Sequence, residues 1–290
     1  MVMTTVIKVV LYILLAPIIG GLMEGIDRVV SARMQRRQGP PLLQPFYDVY
    51  KLLAKQTTVV NSIQVLFVIA YLIFTIFTGS LFFGGGDMLL VFFALSMSEV
   101  MMVLAAYSTN GPYSALGANR ELLQMMCYEP MILLVAIGFY EANGSFMVND
   151  LVQAANPAIY KIPGMLIGFL FILTIKFRKS PFDMSTSHHA HQEMVKGLTS
   201  DISGTNLAFY EIAEWYDEVL MMGIVAMFFI YNNPISIVWA LIACVIFYLM
   251  ETLIDNVFPR VKYMAMLVSS WVVILVSAGT NLLILSVIGK

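Results

Sequence analysis

Eight carboxylates lie inside or at the ends of long apolar runs of this sequence. Glu99 sits in the run 88–108, Glu129 in 122–140, and Glu211, Glu214, Asp217 and Glu218 in the first half of a run that opens near Leu207. Glu251 and Asp255 close the run 235–253. An ionised carboxylate is costly in hydrocarbon, so such groups face a cavity, a partner or a proton path. Positions 211, 214 and 218 are related as i, i+3 and i+7, which sets them along one stripe of a helix. Burial and mutual repulsion both favour the neutral form of a carboxylic acid, and a group poised between its two forms can take up and release a proton. That is the chemistry of a proton relay. A plainer reading stands beside it: Glu24 and Arg28, at i and i+4, form an ion pair near the surface, and Asp217 and Glu218 sit at headgroup level. The cations near enough to compensate, Arg120 and the basic residues at helix ends, cannot pair with every acid.

The polar connections offer other chemistry. The longest, 178–206, holds all three histidines, His188, His189 and His191, with Glu193 close by. Histidines at i, i+1 and i+3 could bind a metal, but no partner histidines or cysteines stand elsewhere to complete the site. Docking of a soluble partner, or lining of a proton entrance, is the expected role. Arg33, Arg36 and Arg37 follow the first apolar run and either mark topology or meet a partner. Cys127 and Cys244 lie in apolar segments and read as small buried hydrophobes. Two cysteines alone hold neither a zinc site nor an iron–sulfur cluster. No metal or redox cofactor is therefore expected in this chain, and electrons would travel in another subunit or on a bound cofactor.

These groups need a scaffold that keeps them in lipid. Of the 290 residues 60% are hydrophobic and 12% charged, against roughly a quarter charged in soluble domains. The 18 acids nearly cancel the 16 lysines and arginines, so net charge names no partner and none of nucleic acid is expected. A span needs roughly 20 mainly apolar residues. Such runs cover 6–27, 62–82, 88–108, 122–140, 159–177, 207 to just before Asn232, 235–253 and 263–288. The run at the start carries one lysine and no Ala-x-Ala-like site follows, so it reads as the first membrane helix. Within 40–56, Phe46, Val49, Tyr50, Leu52 and Leu53 are apolar while Asp48, Lys51 and Lys55 fall elsewhere, the pattern of an amphipathic helix on the membrane surface. The prediction is an all-α, polytopic membrane protein of about eight transmembrane helices plus that surface helix, a single transmembrane domain over 1–290 with no repeat.

Charge placement agrees with eight spans. With the loop after the first span on the cytoplasmic side, that side receives Arg28, Arg33, Arg36, Arg37, Lys51, Lys55, Arg120, Lys176, Arg178, Lys179, Lys196, Arg260 and Lys262, thirteen in all. The other side receives Lys8, Lys161 and Lys290. The positive-inside rule then sets both termini outside the cytoplasm of a cell membrane.

Four ordered motifs carry a resemblance. The first is Ala32 to Gln56, with its arginine-rich turn, Gly39-Pro40, Leu43-Gln44-Pro45 and the helix of Asp48, Lys51, Leu52 and Leu53. The second is Tyr113-Ser114-Ala115-Leu116-Gly117-Ala118 with Arg120, Gln124, Tyr128 and Glu129. The third is Pro181-Phe182-Asp183, then Ser203-Gly204 and the helix of Glu211 and Glu214. The fourth is Phe258-Pro259-Arg260 with Lys262-Tyr263. In these residues, over nearly its whole length, the chain resembles the membrane subunit shared by respiratory complex I (its subunit 1, or H) and the energy-converting, formate hydrogenlyase-like [NiFe] hydrogenases. The resemblance implies a non-redox subunit of a multisubunit oxidoreductase. It would couple a peripheral arm of hydrogenase large and small subunits to antiporter-like and small membrane subunits. The [NiFe] centre and iron–sulfur clusters would lie in those partners. Glu99, Glu129, Glu211, Glu214, Glu218 and Glu251 are then the expected relay, and Arg33, Arg36, Arg37, Asp183, the three histidines and Arg260 the expected interface with the peripheral arm.

Two departures bear on the branch. Complex I chains follow the first helix with Gly-Pro-Asn-Arg-x-Gly-Pro, whereas Gly39-Pro40 here runs into Pro41-Leu42-Leu43-Gln44. After Pro-Phe-Asp they carry a Glu/Ala series, and this chain has Ser185 to Glu193 with its histidines. Both departures resemble the hydrogenase-type subunits. The alternatives are a quinone-site subunit of complex I, a sulfane-sulfur reductase subunit and, in another class, an autonomous secondary transporter. The last would often show inverted repeats with broken helices, and none is visible.

Overall fold

The computed structural model describes residues 2–58, 61–185 and 196–288. His188, His189 and His191 lie outside the described residues. Among the described residues all regular structure is helical. The helices are α1 (Val2–Met34), α2 (Gln44–Ala54), α3 (Ser62–Phe83), α4 (Met88–Tyr107), α5 (Pro112–Asn143), a short α6 (Val148–Val152), α7 (Pro163–Lys176), α8 (Gly204–Met227), α9 (Ile235–Val257) and α10 (Tyr263–Val273). A π-helical segment (Ile274–Gly279) joins α10 to α11 (Thr280–Ile288), and the three behave as one span.

Six helices among the described residues are long and apolar enough to cross a membrane: α1, α3, α4, α5, α9 and the α10–α11 unit. The two other expected spans coincide with α7, apolar but short, and α8, long but carrying four acids. Local chemistry explains the boundaries. The Asn61 side chain accepts from Ile63 N–H at 3.1 Å to open α3, and Asp87 accepts from Leu89 and Leu90 N–H to open α4. Gly85, at φ 84°, makes the α3–α4 turn possible. Gly111-Pro112 starts α5 with proline at a first-turn position, where a missing N–H is harmless. That start lies well before the expected one near Leu122, so Arg120 and Glu121 are helical rather than in a loop.

α8 is the hub, packed against α1, α2, α3 and α9. Tyr71, Tyr128, Phe139, Phe169 and Phe228 are fully enclosed in the core. Outer rows such as Val10, Leu14 and Ile18 on α1, Val238, Leu241 and Val245 on α9, and Val272, Leu275 and Leu283 on α10–α11 are exposed and apolar, as a lipid-facing surface requires. α2 is two-faced: Val49 is buried, and Phe46 packs on Trp215 at 5.2 Å between ring centroids, while Tyr47, Tyr50 and Leu53 face outward.

One end of the bundle gathers the polar connections. Asn256 donates to Ser31 at 2.8 Å and accepts from Gln35 at 3.0 Å, joining the ends of α1 and α9. Val261 N–H donates to Pro181 O at 3.0 Å, and Ser180 donates to Phe258 O at 2.9 Å. Gly117, in the second turn of α5, lets the backbone of Gly197 and Leu198 lie against it where a side chain would collide.

Candidate functional site: a buried charge network

The end of α7 builds the site. Arg178 adopts a left-handed conformation, φ 50°, and Lys179 N–H donates back to Thr174 O at 3.0 Å. Lys176 is still helical, so this turn sends the three neighbouring cations in different directions. The Lys176 ammonium meets Glu99 of α4 and lies 3.1 Å from Asp217 of α8. Arg178 grips Glu121 of α5 with two N–H groups, at 3.2 and 3.0 Å. A third nitrogen lies 2.8 Å from Glu214 and donates to the Tyr210 hydroxyl at 2.6 Å. Lys179 turns the other way, to Asp27 of α1 at 2.9 Å, beneath the Tyr248 ring.

Lys176, Arg178, Lys179, Glu99, Glu121 and Asp217 are all buried. Charges so far from water persist only when paired and hydrogen-bonded. Here four carboxyl groups, Glu99, Glu121, Glu214 and Asp217, share two cations, Lys176 and Arg178. With all members ionised, four carboxylates face two cations, and the cluster carries a net charge of about −2.

A second layer of charge lies beside the network. Glu24 receives the Trp215 indole N–H at 2.6 Å and the Arg28 guanidinium at 2.5 Å, and Arg28 reaches Asp48 of α2 at 2.7 Å. Partial burial disfavours the Asp48 charge, but hydrogen bonds from Arg28 and Gln44 outweigh it and hold the carboxyl below its usual range. Between α1, α2 and α8 lies a cavity of about 220 Å³ whose lining includes Glu24, Arg28, Asp48, Lys51, Lys55, Lys196 and Glu211. Glu211 stands one turn from Glu214, so α8 carries a carboxylate from the cavity wall into the network.

The expected relay is thus spread over the bundle. Glu99 and Glu214 join the central network, and Glu211 faces the cavity. Glu218 and Glu251 lie within electrostatic reach of Lys179; both oxygens of Glu251 and one of Glu218 lack a hydrogen-bond partner among the described residues. Glu129, half-buried on α5, joins none of the ion pairs described. The acids of α8 do not share one face: Glu211 looks to the cavity, while Asp217, between the stripe positions, points to Lys176. Sequence reasoning alone does not single out Glu121, Lys176, Arg178, Asp27, Tyr71 or Tyr210 for this site. A lysine ending an apolar helix is the signal available for Lys176.

Arg33, in the last turn of α1, and Arg36 and Arg37, just beyond it, are exposed. Arg260 pairs with Asp183 at 2.7 Å on the same end of the bundle, joining the third and fourth motifs. Among the described residues no group of three or more His, Cys, Asp or Glu side chains is arranged to hold a metal ion.

A family model described as NADH dehydrogenase matches residues 7–286. The chain is similar to hydrogenase-4 component C of Escherichia coli, at 25% identity over 91% of this chain and 90% of that protein. It is also similar to the H subunit of the NADH-quinone oxidoreductase of Anoxybacillus flavithermus, at 30% identity over 95% and 91%. Its fold is similar to that of a chain in the solved membrane-bound sulfane sulfur reductase, an archaeal respiratory membrane complex, with a TM-score of 0.83 and 23% identity over 96% and 99% of the two chains.

Proposed function

The chain belongs to the NADH dehydrogenase subunit 1/H family, and on that premise we propose that it anchors and couples a peripheral [NiFe]-hydrogenase-like redox arm to ion translocation. As a family member it is a multi-pass membrane subunit of an oxidoreductase complex. One observation carries the finer reading: four carboxyl groups from α4, α5 and α8 share two buried cations, one helical turn from a cavity of about 220 Å³ lined by charged residues. In this reading protons reach Glu211 from the cavity, pass to Glu214 and redistribute over the network. A charge change in the arm docked on the arginine-bearing end alters how many protons the network holds. The arm's hydrogenase large and small subunits would hold the [NiFe] centre and iron–sulfur clusters. Antiporter-like and small membrane subunits would lie beside this chain in the bilayer. Both termini would face away from the cytoplasm.

The hydrogenase branch is supported by two departures from the complex I pattern, Pro41-Leu42-Leu43-Gln44 after Gly39-Pro40 and the histidine-bearing stretch that follows Pro181-Phe182-Asp183. Purification through a tag on this chain tests the assignment. Recovery of nickel–iron and iron–sulfur proteins with hydrogen-evolving activity is the expected result. Quinone reduction in that preparation would move the chain to the complex I branch, sulfane-sulfur reduction to its sister, and recovery of the chain alone would favour a transporter.

A further inference from the structure

Tyr71 is the α3 side chain that reaches a carboxylate of the network. α3 contains no charged residue, and its other buried polar groups are spent locally or on backbone. Thr75 and Thr78 donate to the carbonyls of Tyr71 and Phe74, and Gln64 donates to the carbonyl of Asp201. Tyr71, fully enclosed, donates its hydroxyl to Glu214 Oε1 at 2.7 Å. The other oxygen, Oε2, lies 2.8 Å from the Arg178 guanidinium. The Tyr71 ring stacks on Tyr210 at 6.0 Å between centroids, and the Tyr210 hydroxyl accepts from the same guanidinium. The phenol and the arginine therefore divide Glu214, one oxygen each. Glu121 keeps the two-pronged grip on Arg178, and Glu214 takes the remaining nitrogen end-on.

We propose that Tyr71 is a positioning residue for proton transfer at Glu214: its hydroxyl splits the Glu214 carboxylate between α3 and Arg178 and stops it from competing with Glu121 for the guanidinium fork. This rests on the coupling role of Glu214 proposed above. Without the phenol, Oε1 loses its donor in a half-buried site, where Arg178 is the strong donor that remains. The carboxylate then turns toward Arg178 and away from Glu211.

The test uses the whole complex in inverted membrane vesicles, comparing Tyr71→Phe, Glu214→Gln and the double variant. Ion uptake is measured per electron pair transferred, with assembly checked on native gels. Phenylalanine keeps the ring and its stack on Tyr210. Tyr71→Phe is expected to assemble and to lower uptake per electron pair several-fold. The double variant should be no worse than Glu214→Gln alone, because the hydroxyl acts through that carboxylate. The infrared carboxyl band that Glu214→Gln abolishes should shift in Tyr71→Phe. Unchanged uptake in Tyr71→Phe, losses that add in the double variant, or failure of Tyr71→Phe to assemble would each overturn the positioning role while leaving Glu214 in place. Full uptake in Glu214→Gln would remove the relay itself, and Tyr71's role with it.

Discussion

Lys176, in the last turn of α7, is enclosed between Glu99 of α4 and Asp217 of α8. One ammonium thus ties three helices together where water does not reach. Removing one partner from such a site leaves uncompensated charge, a loss of about 3–5 kcal/mol. Lys176→Met should therefore lower the thermal stability of the detergent-solubilised complex sharply, and pairing it with Asp217→Asn should recover part of the loss. Equal stability of Lys176→Met and wild type would mean that the cation does not hold the bundle.

Glu211 and Glu214 are expected to matter for coupling rather than for assembly. Glu211→Gln keeps size and hydrogen bonding but removes the titratable proton. Vesicle ion uptake set against hydrogen production in one sample should fall sharply for Glu211→Gln and for Glu214→Gln. Unaltered uptake per hydrogen in both would end the relay proposal.

The surface helix α2 offers a pH test. The Asp48 carboxyl is held below its usual range in the fold, so its contribution is complete above the unfolded value of about 3.9 and is lost as pH falls through the lower folded value. The protection of the α2 amides, their exchange rates set against the intrinsic rates at the same pH, should therefore stay high at neutral pH and fall only in strong acid. In Asp48→Asn protection should already be lower at pH 7. A variant with wild-type protection would show that the apolar face, Phe46 and Val49 against Trp215 and its neighbours, anchors α2 unaided.

Arg33, Arg36 and Arg37 present positive charge to whatever docks on this end. Their joint replacement by alanine should release the peripheral arm at lower salt than in the wild type, since exposed charge pairs are screened over about 10 Å at 0.1 M. An unchanged salt profile on sedimentation would leave the arginines with a topological role alone.

Membrane-impermeant thiol labelling of intact cells checks orientation. Tyr160→Cys, exposed on the end away from the arginines, should label from outside, and Arg37→Cys should not. The reverse pattern would invert the topology.

The spans and the surface helix were legible because lipid imposes long apolar runs, and the starts at Ser62, Met88 and Ile235 follow Asn61, Asp87 and Asn233, whose side chains accept from the first turn. The acids were legible because they interrupt those runs. Their partners were harder to find. Lys176 and Arg178 read as topology markers, since periodicity does not tell whether a cation at a helix end turns outward or folds back. Glu121 was missed because Pro112 starts α5 earlier than its apolar content does. The split of the α8 acids between cavity and network depends on which helices surround α8, and that is tertiary information.

The shortness of α7 bears on how far a proton must travel. Its 14 residues rise about 21 Å at 1.5 Å each, against a hydrocarbon core of about 30 Å. A span this short that starts at one face of the bilayer would end below the headgroups of the other, taking Lys176, and Arg178 and Lys179 just after it, with it. The described chain that follows, 177–185, is buried or half-buried against the protein, as irregular backbone at that depth must be. In the coupling reading, a charge arriving at the arginine-bearing end would then act across less than the full thickness of the bilayer.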